Sequence, residues 1–375
     1  MSSNKSTINF SVSRTSLYQP LQKVVSIISG RPRMPILTHV LLKINDDCLY
    51  ITATDLEIEI TAKVMLGDKY PIGSITAPGR KFFEICRSLP GSSKMSIMLQ
   101  DNKLIICSGY STFSLSTFSA SDFPKLEEWN NRIKLIISQS TLKEMIELTQ
   151  FSMGQQDARY YLNGMFFETK EHTLRIIATD GHRLASCKTI VDSLLPYQSV
   201  IIPRKGIIEI LRLLNIGKKI VNIQTNNNSI RMKMDNYTFT SKLIDAVFPN
   251  CHDIFLKQPK NILEVSCDVM KHALKRAAIL SNEKLRIVQF TLITNQLKIT
   301  THNFEYEASE EILDVSYAGK DIKISFNVDY LLDVIHVMAR AQILRFFFTN
   351  EISSVQIEGI EKYYDATYIV MPIRV

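Results

Sequence analysis

Residues 51–60 read ITATDLEIEI, and residues 175–185 read RIIATDGHRLA. Each is an apolar run into Ala-Thr-Asp followed by renewed alternation, and the pairs Thr54-Asp55 and Thr179-Asp180 stand 125 positions apart. Two other landmarks keep that spacing. APGRKFFEICRSL at 77–89 matches IPRKGIIEILRLL at 202–214, with Arg80-Lys81 and Arg204-Lys205 separated by 124. Phe123-Pro124 and Phe248-Pro249, each closing an alternating segment, are separated by 125. Three landmarks in one order at one offset mark an internal repeat. A fainter third copy follows, with LKITTHNFEYEA at 297–308 in place of the Ala-Thr-Asp strand and FNVDYLLDVIHVM at 326–338 in place of the Arg-Lys helix.

The 375 residues therefore divide into three copies of one module, 1–132, 133–259 and 260–375. Repeats of this length are whole domains, not solenoid units. The polar stretches EEWNNR and KQPKN at the breaks suit linkers. Each module opens with an amphipathic helix: RTSLYQPLQKVVSIIS, TLKEMIELTQFSM or DVMKHALKRAAILS. Alternating strands such as YITATDLEIEI and SIRMKMDNYTFTSKLI follow, then a second helix, then more strands. Two helices and many antiparallel strands per module predict an α+β fold, with helices packed on one sheet face.

Composition narrows the function classes. With 45% hydrophobic and 22% charged residues the chain is a folded one. No apolar run reaches the ~18 residues that span a bilayer, and the polar start MSSNKSTINF has no export signal, so a cytoplasmic protein without membrane contact is expected. The six Cys (48, 86, 107, 187, 251, 267) form no C-x-x-C pair and the seven His no H-x-x-x-H pair. Reduced thiols, no metal site and no cofactor follow. The net charge of +7 is uneven: +4 in the first module (15 basic, 11 acidic), +5 in the second (16 and 11), −2 in the third (13 and 15). Opposite signs on the first and last modules suit a head-to-tail contact between two chains. Basic residues including Arg14, Lys23, Arg87, Lys143, Lys271, Lys275 and Arg276 fall in or beside five of the six helices. That pattern favours a shared polyanion-facing surface over six unrelated solvated faces, and it has no loop or aromatic row for reading bases.

Asp180 and His182 invite an acid–base reading, as does Asp55. Against it, the repeat equivalent of Asp180-His182 is Asp55-Glu57, the third copy has no Asp there, and no G-x-S-x-G, P-loop or metal-ligand cluster occurs. A sequence-specific DNA binder needs one base-reading helix, yet the basic residues are spread along the chain.

From Ile8 to Val375 the chain resembles the bacterial DNA polymerase III β subunit family, the sliding clamps. The resemblance rests on GRPRMPIL, ATDLEIE, RKFFEICR, FSLST with ASDFP, QDARYYLNGMFFE, ATDGHRLA, IPRKG, AAILSNEK, FNVDYLLDV, SSVQIE and YIVMPIRV. It implies three similarly folded processivity-clamp domains per subunit, two subunits closed head to tail in a ring around duplex DNA, and no catalytic chemistry. It also implies a pocket that takes short linear peptides from the replicative polymerase, the clamp loader and repair factors. The matching positions are Leu162, Thr179, Gly181, His182, Arg183, Leu184, Pro249, Ile254, Tyr330, Ser354, Ile369, Met371, Pro372, Ile373 and Arg374. Leu, Ile, Met and Pro suit an apolar bowl, and Arg183 and Arg374 suit polar contacts with a partner. Asp253 departs from the Arg of a familiar relative at the rim.

By the same resemblance the DNA contacts fall on Arg31, Arg80, Gln156, Tyr160, Tyr161, Lys205 and Arg212, although the two tyrosines suit a core equally well on residue type. The dimer contacts fall on Phe113 and Leu115 of an edge strand meeting Ile279 and Leu280, with Glu305, Glu307, Glu310 and Glu311 facing basic groups such as Lys81. Tyr110 and Thr112 replace Arg of a relative, so the apolar patch is expected to dominate.

Overall fold

The computed structural model describes residues 8–28, 30, 33–124, 133–217, 219–255, 261–360 and 365–374. Six helices are present among them: α1 (Arg14–Val25), α2 (Gly79–Ser88), α3 (Gln139–Thr149), α4 (Arg204–Leu213), α5 (Cys267–Ile279) and α6 (Val328–Val337). All fall where the apolar periodicity places them. In α5 the buried positions Met270, Ala273, Leu274, Ala277 and Ala278 recur at three- and four-residue spacing, so one stripe faces the core. Burying a side chain such as Leu274 stabilises by roughly 1.5–3 kcal/mol. Caps fix the helix starts: the Ser13 hydroxyl accepts from the Ser16 amide in α1, and Asn327 accepts from the Asp329 and Tyr330 amides in α6.

The strands form four antiparallel sheets in two compact units. The first unit holds residues Met1–Thr141 and Lys205–Leu243, the second Leu142–Arg204 and Ile244–Val375. In the first unit, Asn9–Ser13, Lys94–Gln100, Lys103–Ser108 and Ser111–Ser116 make a four-stranded sheet in that order. Its eight-stranded sheet runs Gly73–Pro78, His39–Asn45, Cys48–Thr54, Ile58–Met65, Tyr237–Lys242, Ser229–Met234, Ile220–Thr225, Ile133–Ser138. In the second unit, Gly164–Thr179, Arg183–Pro203, Asp365–Val370, Val355–Gly359, Ile343–Phe348, Asn261–Ser266 and Ser316–Tyr317 make a seven-stranded sheet. Its four-stranded partner runs Ala308–Asp314, Gln296–His302, Ile287–Ile293, Ile322–Asn327.

The repeat is visible in these orders. Each module supplies a three-strand meander: 94–116, 220–242 and 343–370. It also supplies a hairpin, turning at Thr-Asp in the first two copies and at Asn303 in the third: 48–65, 164–203 and 296–314. The outgoing strand of the first hairpin pairs with the last strand of the second meander, Phe239 opposite Ile60. The outgoing strand of the second hairpin pairs with the last strand of the third meander, Leu184 opposite Ile369. Both large sheets thus run across the expected module breaks at 132 and 259. The third hairpin's outgoing strand, Ala308–Asp314, and the first meander's last strand, Ser111–Ser116, lie at sheet edges.

Two of the alternating segments each resolve into a pair of strands. SIRMKMDNYTFTSKLI is not one strand but a hairpin, Ser229–Met234 paired with Tyr237–Lys242 through a turn in which Asp235 has φ 45°. YITATDLEIEI likewise breaks after Thr54 and resumes at Ile58. All six cysteines are free, and five of them are buried. Burial raises the thiols of Cys86 and Cys251 to about 11 and of Cys187 to about 12, so they behave as small apolar residues.

Candidate functional site

The Thr-Asp turn is built the same way twice. The Thr179 hydroxyl donates to the Arg183 carbonyl at 2.6 Å and accepts from the Gly181 amide at 3.1 Å. Asp180 Oδ1 accepts from the amides of His182 (2.9 Å) and Arg183 (3.0 Å). In the first copy the Thr54 hydroxyl donates to the Ile58 carbonyl and accepts from the Leu56 amide, while Asp55 Oδ1 accepts from Glu57 and Ile58. Short polar side chains that satisfy the backbone two and three residues on are what such turns require. The third copy keeps the device with another residue: Asn303 Oδ1 accepts from the Glu305 and Glu307 amides, in a turn one residue longer.

This chemistry argues against a catalytic dyad. Asp180 Oδ1 holds two amides, and Oδ2 accepts from Arg183 Nε at 3.1 Å. The His182 ring lies instead against the Tyr330 ring, with centroids 6.3 Å apart.

Two arginines brace the turn. Arg159 grips Asp157 through Nε (3.0 Å) and Nη2 (2.9 Å), and Nη2 also donates to the Asp180 carbonyl at 3.1 Å. These bonds from Arg159 hold the Asp157 carboxyl down at about 2. Gly181 has φ 88°, a conformation that strains an L side chain, and a Cβ there would fall 2.9 Å from the Arg159 guanidinium and displace it. Arg183 donates to Asp180, to Asp333 and to the Phe151 carbonyl (2.9 Å), and its guanidinium lies 4.5 Å from the Tyr330 ring centroid. Expected as a partner contact, Arg183 is engaged within the chain and stiffens the wall. Thr179 is likewise buried with its hydroxyl engaged.

The remaining residues lie in the same unit. Leu162, Leu184 and Ile369 are buried, the last two in a cluster with Ile177, Ile201, Phe248 and Cys251 that also packs Ile254. The chain leaves the strand Asp365–Val370 beside the turn, where the Met371 amide donates to the His182 carbonyl at 2.9 Å. Farther on, the Ile373 amide donates to the Ser325 carbonyl at 2.8 Å. Met371 and Arg374 are exposed and Pro372 and Ile373 half-buried. His182, Pro249 and Gly181 are exposed, and Tyr330 and Ser354 are half-buried. The arrangement is an apolar floor with an accessible rim of Met, Pro, Ile, His and Tyr. Asp253 is exposed and accepts from Asn250 at 3.5 Å. Sequence reasoning missed Asp157, Arg159, Phe151 and Asp333. Only the Asp-x-Arg spacing of the first two is a local signal.

The expected DNA contacts divide between the units. Arg31 lies outside the described residues. Arg80 is exposed on α2 and donates to the Ile28 carbonyl at 2.7 Å. Lys205 pairs with Asp55, and Arg212 pairs with buried Glu209 at 2.6 Å. Gln156 and Tyr160 are exposed, whereas Tyr161 packs on the apolar cluster beneath the turn. Of the expected dimer contacts, Phe113 is half-buried and Leu115 is already buried in its own unit. Ile279 is 77% exposed and Leu280 half-buried. Lys81 is exposed, as are Glu305 and Glu307. Glu310 and Glu311, expected to face a second chain, pair internally with Lys298 (2.6 Å) and Arg276 (2.5 Å).

Family models described as the N-terminal, central and C-terminal domains of the DNA polymerase III beta subunit match residues 8–127, 136–250 and 252–374. The chain is 47% identical to the beta sliding clamps of Salmonella typhimurium and Escherichia coli K12, over 98% of this chain and all of theirs. Among solved structures, the sliding clamp of Pseudomonas aeruginosa bound to griselimycin is 40% identical with a TM-score of 0.94, covering 98% of this chain and 99% of that one. A Caulobacter crescentus beta sliding clamp, described with PEG bound to a putative beta-motif tethering region, is 31% identical with a TM-score of 0.93, covering 98% of this chain and all of that one.

Proposed function

The chain belongs to the DNA polymerase III beta subunit family and functions as a DNA sliding clamp, and from that premise we propose how it closes and what it holds. Two copies join head to tail into a ring around duplex DNA. The observation that carries this is the pair of unmatched edges. Twice within the chain, the strand leaving a Thr-Asp hairpin is covered by the last strand of the next meander. The third such strand, Ala308–Asp314, and the first meander's Ser111–Ser116 have no such neighbour among the described residues. Each is the partner the other's repeat position calls for, and a second copy supplies both at once. Open edges are an aggregation hazard that closure removes. Exposed Ile279 lies at the end of α5, beside the Ala308–Asp314 strand through the Arg276–Glu311 pair. It adds apolar area to the joint.

DNA is held without base reading, by the charge of Arg80, Lys205 and Arg212, together with Arg31, and by polar contacts from Gln156 and Tyr160. Because Lys205 and Arg212 already have carboxylate partners, their grip on phosphate is loose, which suits sliding. The apolar bowl beside the Thr179–Arg183 turn takes short peptides from the polymerase, the clamp loader and repair factors. The protein works in the cytoplasm as a non-catalytic processivity subunit. Asp180 serves the turn, and Thr54-Asp55 and Asn303 repeat that role in the other two modules.

A labelled peptide with Leu and Phe anchors tests the bowl by fluorescence polarisation. Deleting residues 371–375 is expected to weaken binding by roughly 100-fold or more, since the Met371 and Pro372 rim is lost. Unchanged affinity contradicts the assignment.

A further inference from the structure

A separate cavity of about 510 Å³ opens in the second unit, between the C-terminal ends of α3 and α6. None of the fifteen residues expected at the bowl lines it, and the two sites share only Phe151, whose carbonyl holds Arg183. Its apolar wall includes Leu148, Phe151 and Met338, and the small side chain of Ala366 leaves the sheet face hollow beneath them. A space of that size is in the range of small-molecule sites.

Its polar groups are unevenly matched. Tyr368 is fully buried with its ring 6.0 Å from that of Phe151, yet its hydroxyl has no hydrogen-bond partner among the described residues. Buried polar groups are nearly always paired, so this one calls for an acceptor. Burial also pushes the phenol upward, which keeps it a neutral donor. Arg204 donates through Nη1 to the Met153 carbonyl at 3.0 Å, leaving the rest of its fork without a partner among the described residues. On the acidic side, Glu144 pairs with Arg340 at 2.7 Å, and the half-exposed Glu147 lies 4.0 Å from Lys143. What the cavity lacks is an acceptor for two donors, next to an apolar wall.

We propose that this cavity binds a small aromatic carboxylate, its ring against Leu148, Phe151 and Met338 and its carboxylate accepting from Arg204 and the Tyr368 hydroxyl. A carboxylate answers both donors, and charge-assisted bonds of this kind are the stronger class. A cationic ligand would meet Arg204 and Arg340, and Glu144 is already engaged by Arg340.

The test uses indole-3-acetate and its neutral amide, titrated by calorimetry into the full chain. The acid should bind at least about 10-fold more tightly than the amide, and Tyr368→Phe and Arg204→Gln should each weaken it by roughly 10-fold or more. His182→Ala, in the peptide bowl, should leave it unchanged. Ligand-free Tyr368→Phe should melt no lower than the parent, because it removes a hydroxyl that has no partner. Any of three results overturns the proposal: no binding below about 10 mM, equal affinity for acid and amide, or loss of binding in His182→Ala with retention in Tyr368→Phe.

Discussion

Replacing Gly181 with Ala perturbs the turn in two separable ways. The residue sits at φ 88°, where an L side chain carries strain of about 1–2 kcal/mol. The new Cβ also falls 2.9 Å from the Arg159 guanidinium. That group is the mobile end of a long side chain, so it moves rather than clashes. In moving it gives up its 3.1 Å bond to the Asp180 carbonyl, worth about 0.5–1.5 kcal/mol. The alanine also restricts the unfolded chain, which offsets about 0.4–1 kcal/mol. The net loss is about 0.5–3 kcal/mol. For a cooperative unit of this size each kcal/mol moves the melting midpoint by roughly 2–4 °C. The first copy shows that the conformation is tolerable, since Leu56 holds φ 77° in the equivalent place. The decisive assay is therefore a cycle with Arg159→Ala, followed by circular dichroism melting. Gly181→Ala should be costly in the parent and cost only the conformational part, about 1 kcal/mol, once Arg159 is gone. An equal cost in both backgrounds refutes the bracing role of Arg159.

Other outcomes follow from the same structure. Asp157 is held at about 2 by Arg159, below its ordinary 3.8. Its stabilising contribution is therefore complete above pH 3.8 and is lost as pH falls through about 2, and carboxyl NMR titration should show that midpoint move up toward 3.8 in Arg159→Ala. Ile279→Asp places a charge on an exposed side chain at the proposed joint, so sedimentation should show at least a ~10-fold weaker dimer with an unchanged subunit fold. Leu115→Asp should instead destabilise the subunit itself, because Leu115 is already buried within its own sheet; a stable Leu115→Asp monomer would contradict that distinction.

Local features of the chain were legible and long-range ones were not. The six helices show in apolar spacing, and the Thr-Asp turn shows because its hydrogen bonds reach only two to four residues along the chain. The third copy was harder to see, since Asn303 accepts from the backbone as Asp180 does while sharing no identity with it. The strand pairings that carry both large sheets across the module breaks leave no local trace. Leu184 opposite Ile369 is specified only by matching apolar faces. The same holds for the site: Arg183 meets Asp333 across 150 residues. Residue type alone made Arg183 a free donor, and folding made it a strut.

Retention on DNA tests the ring most directly. Protein assembled on a closed circular duplex and then passed through a sizing column should remain bound, and cutting the circle once should release it within the time of the column run. High salt should change this little, because the hold is topological rather than ionic. Equal loss from circular and linear DNA, or release from the intact circle by salt alone, would contradict the account.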